Sequence, residues 1–114
     1  MLKMFSVYDV KAGSYGSPMF VPTVGLATRT FVEVCADPQS PMSKYPGDYN
    51  LFELGEFDPN SGKVVGHNEP HFVISAAEAV ETGKRLKDAS NKTKPLPMDG
   101  NPVGEGTPKE SVTQ

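Results

Sequence analysis

The chain has 114 residues, 37% of them apolar and 22% charged, which suits a single domain with a modest core. Lys and Arg total 11 against 14 Asp and Glu, and the resulting net charge of −3 argues against a protein that grips nucleic acid by bulk positive charge. The single cysteine, Cys35, excludes an internal disulfide and a multi-thiolate zinc site, and no stretch approaches the ~20 apolar residues of a membrane span.

Residues 2–10 alternate as a strand, with Leu2, Met4, Tyr8 and Val10 on one face and Phe5 and Val7 on the other. Apolar residues on both faces predict a central strand. This N-terminal run carries Asp9 and does not form the apolar core of a secretion signal, so the chain is expected in the cytosol. Residues 11–18, KAGSYGSP, predict a flexible loop that presents Tyr15. From Thr23 the period becomes helical: Val24, Ala27, Phe31 and Val34 form an apolar stripe, leaving Thr28, Arg29 and Glu33 for solvent. Pro22 and Thr23 start this helix and Pro38 stops it, while Gly25 weakens its first turn by about 1 kcal/mol relative to Ala.

Residues 49–57 are rich in aromatic and apolar side chains. The turn signal Asp58-Pro59-Asn60-Ser61-Gly62 follows, and Lys63, Val64 and Val65 return as a second strand. In strict alternation Phe57 falls on the face opposite Phe52 and Leu54, but a bulge at Gly55 brings it back beside them. After a loop, residues 71–74 predict a short strand. Ser75 then caps AAEAVETGKRL, with Glu78 placed for a capping box and the helix ending near Gly83. Residues 87–114 hold no aromatic residue and scatter single apolar residues among Pro, Gly, Ser and charges. Too little apolar surface is available there to offset ordering costs of roughly 1–2 kcal/mol per residue, and a disordered tail is expected.

Several residue groups suggest chemistry and are weighed on their geometry. His67, Glu69 and His71 in HNEPH resemble a His-x3-His metal pair, but that spacing needs a helix and Pro70 breaks one, so two loop histidines and no metal ion are expected. Cys35 ends the apolar stripe and reads as a structural thiol. Asp48, Glu53, Glu56 and Asp58 read as a solvated acidic rim, because two-metal sites need carboxylates from different elements. The glycines of residues 12–17 lack the Gly-Lys-Ser/Thr ending of a phosphate loop, and no catalytic triad is assembled. No enzyme and no cofactor are therefore expected. What remains is aromatic residues beside cations: Tyr8 near Lys11, then Tyr15, and Lys44 before Tyr45 in a loop between Pro41 and Pro46 whose backbone is expected to be extended, with Tyr49 close behind. These rings either pack under the sheet or stack on unpaired bases, at about 1–3 kcal/mol per base.

The block ADPQSPMSKYPGDYNLFELGEFDPNSGKVV, the opening FSVYDVKAGSYGSPMFVPT and the helix after it resemble the small nonstructural protein of gokushoviruses, the tail-less Microviridae phages with circular single-stranded DNA genomes. The most specific part is Tyr45-Pro46-Gly47-Asp48-Tyr49 followed by residues 51–58, and the resemblance spans roughly the first three quarters of the chain. It implies a nonstructural or DNA-binding protein acting at the switch to single-strand synthesis and packaging, and it brings no catalytic residues.

Together these readings predict an α+β domain over residues 1–86. It has a small antiparallel sheet of three to four strands, one main helix packed on one face and a short second helix, followed by a disordered tail over 87–114. The expected function is an accessory phage protein in the host cytoplasm that binds single-stranded viral DNA during genome replication or packaging, through Lys11, Tyr15, Lys44, Tyr45, Lys84 and Arg85. The alternative is an adaptor contacting the replication initiator, the capsid protein or a host factor. A homodimer through open sheet edges is a further expectation, and no membrane contact is expected.

Overall fold

The computed structural model describes residues 1–93; residues 94–114 of the expected tail lie outside the described residues. The architecture is α+β, in the order β1 (Leu2–Asp9), β2 (Ser14–Tyr15), β3 (Met19–Val21), α1 (Val24–Ala36), α2 (Pro41–Lys44), a single 3-10 turn (Pro46–Asp48), β4 (Tyr49–Phe57), β5 (Val64–Ser75) and α3 (Ala76–Thr93). All pairings in the five-stranded sheet are antiparallel. β1 and β4 are its central strands, β5 lies beyond β4, and the short β2 and β3 both pair with β1 on its other side. Met1–Lys84 form one compact unit and Arg85 begins a second.

Register decides which side chains share a face. Phe5 and Val7 lie opposite Glu53 and Leu51, and Leu51 in turn opposes Ile74. Phe5, Leu51 and Ile74 are buried under Ala27, Phe31, Val32 and Cys35 of α1 and Ala76 and Ala79 of α3, which together make the core. The apolar stripe of α1 is thus turned slightly from the predicted one: Ala27, Phe31 and Cys35 are buried as expected, but Val24 and Val34 are exposed and Val32 is buried. The Thr23 hydroxyl accepts from the Leu26 N–H at 3.1 Å, so the predicted start of the helix is also its cap. Burial pushes the Cys35 thiol up to about 11, as befits a structural cysteine.

The hairpin forms where the turn chemistry predicts it. Asp58 Oδ1 accepts from the Asn60 N–H at 2.9 Å, and Gly62 adopts φ +76°, a left-handed conformation that glycine reaches without strain. The predicted bulge is present, with Leu54 as the extra residue: Phe5 pairs with Glu53 and Met4 with Gly55, so Phe57 returns to the face of Phe52. A Cβ at residue 55 would overlap the Val65 carbonyl and lie 2.8 Å from Gly66 Cα, so this crossing needs glycine.

Three expectations need correction. Residues 64–75 form one irregular strand instead of two pieces joined by a loop, and this edge strand carries Pro70 and a wide bulge, both devices that guard against edge pairing. Residues 41–44 fold as a helical turn instead of an extended loop, because Pro41 suits its first position and the Ser40 hydroxyl accepts from the Ser43 N–H at 3.1 Å. The second helix is not short. It passes Gly83 and runs to Thr93, so residues 87–93 are helical where a tail was expected.

Candidate nucleic-acid interface

The face of the sheet turned away from α1 and α3 carries rings. Because Tyr15 pairs with Tyr8, Ser6 with Phe52 and Phe52 with Phe72, aromatic side chains from four strands point the same way. Tyr8 and Tyr15 lie with ring centres 4.8 Å apart, Tyr15 and Phe52 at 5.7 Å, and Phe52 and Phe72 at 5.8 Å. Most of these contacts are edge-to-face, the arrangement that ring quadrupoles favour. A second pair, Phe20 and Phe57, sits at 5.6 Å on the same side. Phe72 is 59% exposed and Tyr15 40%, while Tyr8 and Phe52 are half-buried between their neighbours.

Local hydrogen bonds hold this surface in place. The Ser6 hydroxyl donates to the Gly16 carbonyl at 2.7 Å, and the Gly16 N–H donates to the Val7 carbonyl at 2.9 Å, pinning the 11–18 segment against β1. Asp9 Oδ1 accepts from the N–H groups of Lys11 and Ala12 at 3.0 and 3.1 Å. Segment 11–18 is thus less free than its composition predicts, and it places Tyr15 on Tyr8.

Of the predicted site residues, Tyr15 joins this row and Lys11 lies in the turn that leads to it. Lys44 and Tyr45 do not join it. They end α2, which packs on the helical side through Met42. The Tyr45 ring is 62% exposed and, among the described residues, touches no ring of the row. Lys84 lies on α3, in the helical layer across the sheet, and pairs with Glu81 at 3.8 Å; Arg85 is the next residue of that helix. The structure therefore does not gather Lys11, Tyr15, Lys44, Tyr45 and Lys84 into one patch. Sequence reasoning missed Phe52 and Phe72 as surface rings, because alternation grouped Phe52 with the apolar Leu54 and left Glu53 for the solvated rim, whereas Leu51 and Glu53 face the core.

A second cluster lies at the β4–β5 junction. Between the pairs Glu53–His71 and Gly55–Gly66, β4 advances past Leu54 alone while β5 takes in residues 67–70. This bulge folds His67 back on Glu53. His67 Nε2 and Glu53 Oε2 are 2.7 Å apart, and the His67 and His71 rings stack at 4.1 Å with only 11° between their planes. Glu53 is 9% exposed and also faces Lys3, whose Nζ lies 3.7 Å from Glu53 Oε2 and 3.8 Å from Glu56 Oε2. One ligand atom from each of Glu53, His67 and His71 falls within 4.8 Å of the others. Glu53, a residue the sequence reading placed on a solvated rim, thus stands beside the two histidines of HNEPH as a third possible ligand.

The fold and this surface define a small two-layered α+β protein: helices on one side of an antiparallel sheet, aromatic side chains on the other. A family model described as Phage ORF5 protein matches residues 2–79, and the chain belongs to that phage protein family. No curated protein and no solved structure matches it.

Proposed function

We propose that this phage protein is a non-catalytic accessory factor that binds single-stranded viral DNA on the aromatic face of its sheet, in the host cytoplasm, during genome replication or packaging. The observation that carries this reading is the row Tyr8, Tyr15, Phe52 and Phe72, an array of π surfaces on a rigid sheet. Unpaired bases stack on such rings at about 1–3 kcal/mol each, whereas a duplex hides its base faces. The resemblance to gokushovirus nonstructural proteins, whose genomes are single-stranded DNA, agrees with it.

Charge sets the expected character of binding. Lys3 is engaged on the opposite face and Lys84 is paired with Glu81, which leaves Lys11 as the site lysine closest in sequence to the row. With few phosphates neutralised, the logarithm of affinity should fall with log salt at about 0.7 per phosphate contacted, a shallow slope.

Fluorescence anisotropy with labelled single-stranded and duplex oligonucleotides at two salt concentrations tests the reading. Binding should favour the single strand. Tyr15→Ala with Phe72→Ala should weaken it by roughly ten- to a hundredfold, a few kcal/mol at most, and by more than Lys44→Ala with Tyr45→Ala. Equal binding by parent and Tyr15/Phe72 variant would move the site off this face.

The placement of Lys3, Lys44 and Lys84 away from the rings favours a second reading, an adaptor whose aromatic face docks the replication initiator, the capsid protein or a host factor. A parent protein that binds no single-stranded DNA, yet co-purifies with one of these through the Tyr15 and Phe72 face, would establish it.

A further inference from the structure

We infer that Glu53, His67 and His71 form a site for one divalent transition-metal ion of the zinc class, independent of the nucleic-acid surface. Two imidazoles and one carboxylate are a donor set that suits zinc, cobalt, nickel or copper and not magnesium or calcium, which prefer oxygen. The ligands come from two strands, and the bulge of residues 67–70 brings the second histidine into range. Without those extra residues, His71 alone would face Glu53.

The geometry is close to what an ion requires. Metal–ligand bonds of about 2.0–2.1 Å in a tetrahedron place ligand atoms about 3.3 Å apart. Glu53 Oε2 and His67 Nε2 must open slightly from 2.7 Å as an ion replaces the shared proton, and His71 must close from within 4.8 Å. His71 is exposed and can move by ring rotation, while the nearly buried Glu53 supplies an anionic anchor that water solvates poorly. Three protein ligands leave the fourth position to water.

Lys3 opposes the ion. Its ammonium sits 3.7 Å from the same Glu53 oxygen, but Glu56, at 3.8 Å, gives it an alternative partner. Removing this lysine should therefore strengthen metal binding, an outcome that nonspecific surface histidines would not produce.

The test is calorimetric titration of the full chain, stripped with chelator, with zinc chloride and separately with magnesium chloride. Cobalt(II) absorption serves as a second readout of coordination. The expected result is one zinc per chain, no magnesium binding, and visible cobalt bands typical of four or five ligands. His71→Ala, at an exposed position, should weaken zinc at least tenfold without unfolding the protein. His67→Ala should do the same, and Lys3→Met should tighten binding. Absence of zinc binding at millimolar ion overturns the inference. So does zinc binding that His71→Ala leaves unchanged, or a six-coordinate cobalt spectrum matching the free aquo ion.

Discussion

Two glycines show how differently one residue type can be used. Gly55 sits where β4 crosses the backbone of β5, and a methyl group there would overlap the Val65 carbonyl. Neither strand can yield without losing its ladder, so Gly55→Ala should cost about 3 kcal/mol. Gly83 lies within α3, where a Cβ would meet Val32 Cγ1 at 3.6 Å and Ala36 Cβ at 4.0 Å, ordinary packing distances. There alanine removes the conformational penalty of glycine in a helix, and Gly83→Ala should stabilise by up to about 1 kcal/mol. Urea denaturation of the two variants checks both signs. Gly55 was legible in the sequence as a bulge marker. Gly83 suggested a helix end, because its fit against α1 depends on residues fifty positions earlier that no local pattern displays.

At the level of elements, the legible parts were those specified by nearby residues. Thr23 and Pro38 bracket α1, and Asp58 through Gly62 write the hairpin turn in full. The turn also carries a pH signature. Hydrogen bonds from the Asn60 N–H and the Ser61 hydroxyl hold the Asp58 carboxyl below its ordinary value. A carboxylate with a lowered folded-state value stabilises above its unfolded value and loses that contribution as pH falls through the folded one. Asp58→Ala should therefore be less stable than the parent at pH 7, and the difference should shrink under acid; paired thermal melts at the two pH values measure it. The β5 bulge was not legible, because four extra residues against one are consistent with a loop until the far strand is known. Phase was also partly lost on α1: the predicted and observed stripes share Ala27 and Phe31, but the buried face turns toward Val32 and away from Val24 and Val34.

For the molecule as a whole, apolar character on both faces of β1 correctly marked a central strand, although among the described residues only the side of Phe5 and Leu51 is covered by helices. The other side is aromatic more than aliphatic, and that is the informative distinction: rings retain value at a surface because they can stack on a flat partner, whereas branched aliphatic residues cannot. The candidate site was half legible for the same reason. Tyr15 stood out in a Gly- and Ser-rich segment, but Phe52 and Phe72 sat within ordinary strand patterns, and Lys44 with Tyr45 looked convincing only while their turn was read as extended. No helix among the described residues is long and apolar enough to cross a membrane.

The placement of β1 beside β4 has a kinetic consequence. β4 and β5 are joined by a tight turn and can zip locally, whereas Leu2 must find Phe57 and Asp9 must find Tyr49 across most of the domain. Closing that loop is the slow event in a sheet of this topology. Mutations that loosen the β4–β5 turn should mainly slow refolding if the hairpin serves as the template on which β1 docks. Asp58→Ala should then lower the folding rate and leave unfolding nearly unchanged, which stopped-flow chevrons of parent and variant can read. A variant that unfolds faster but refolds at the parental rate would place the docking of β1 ahead of the hairpin.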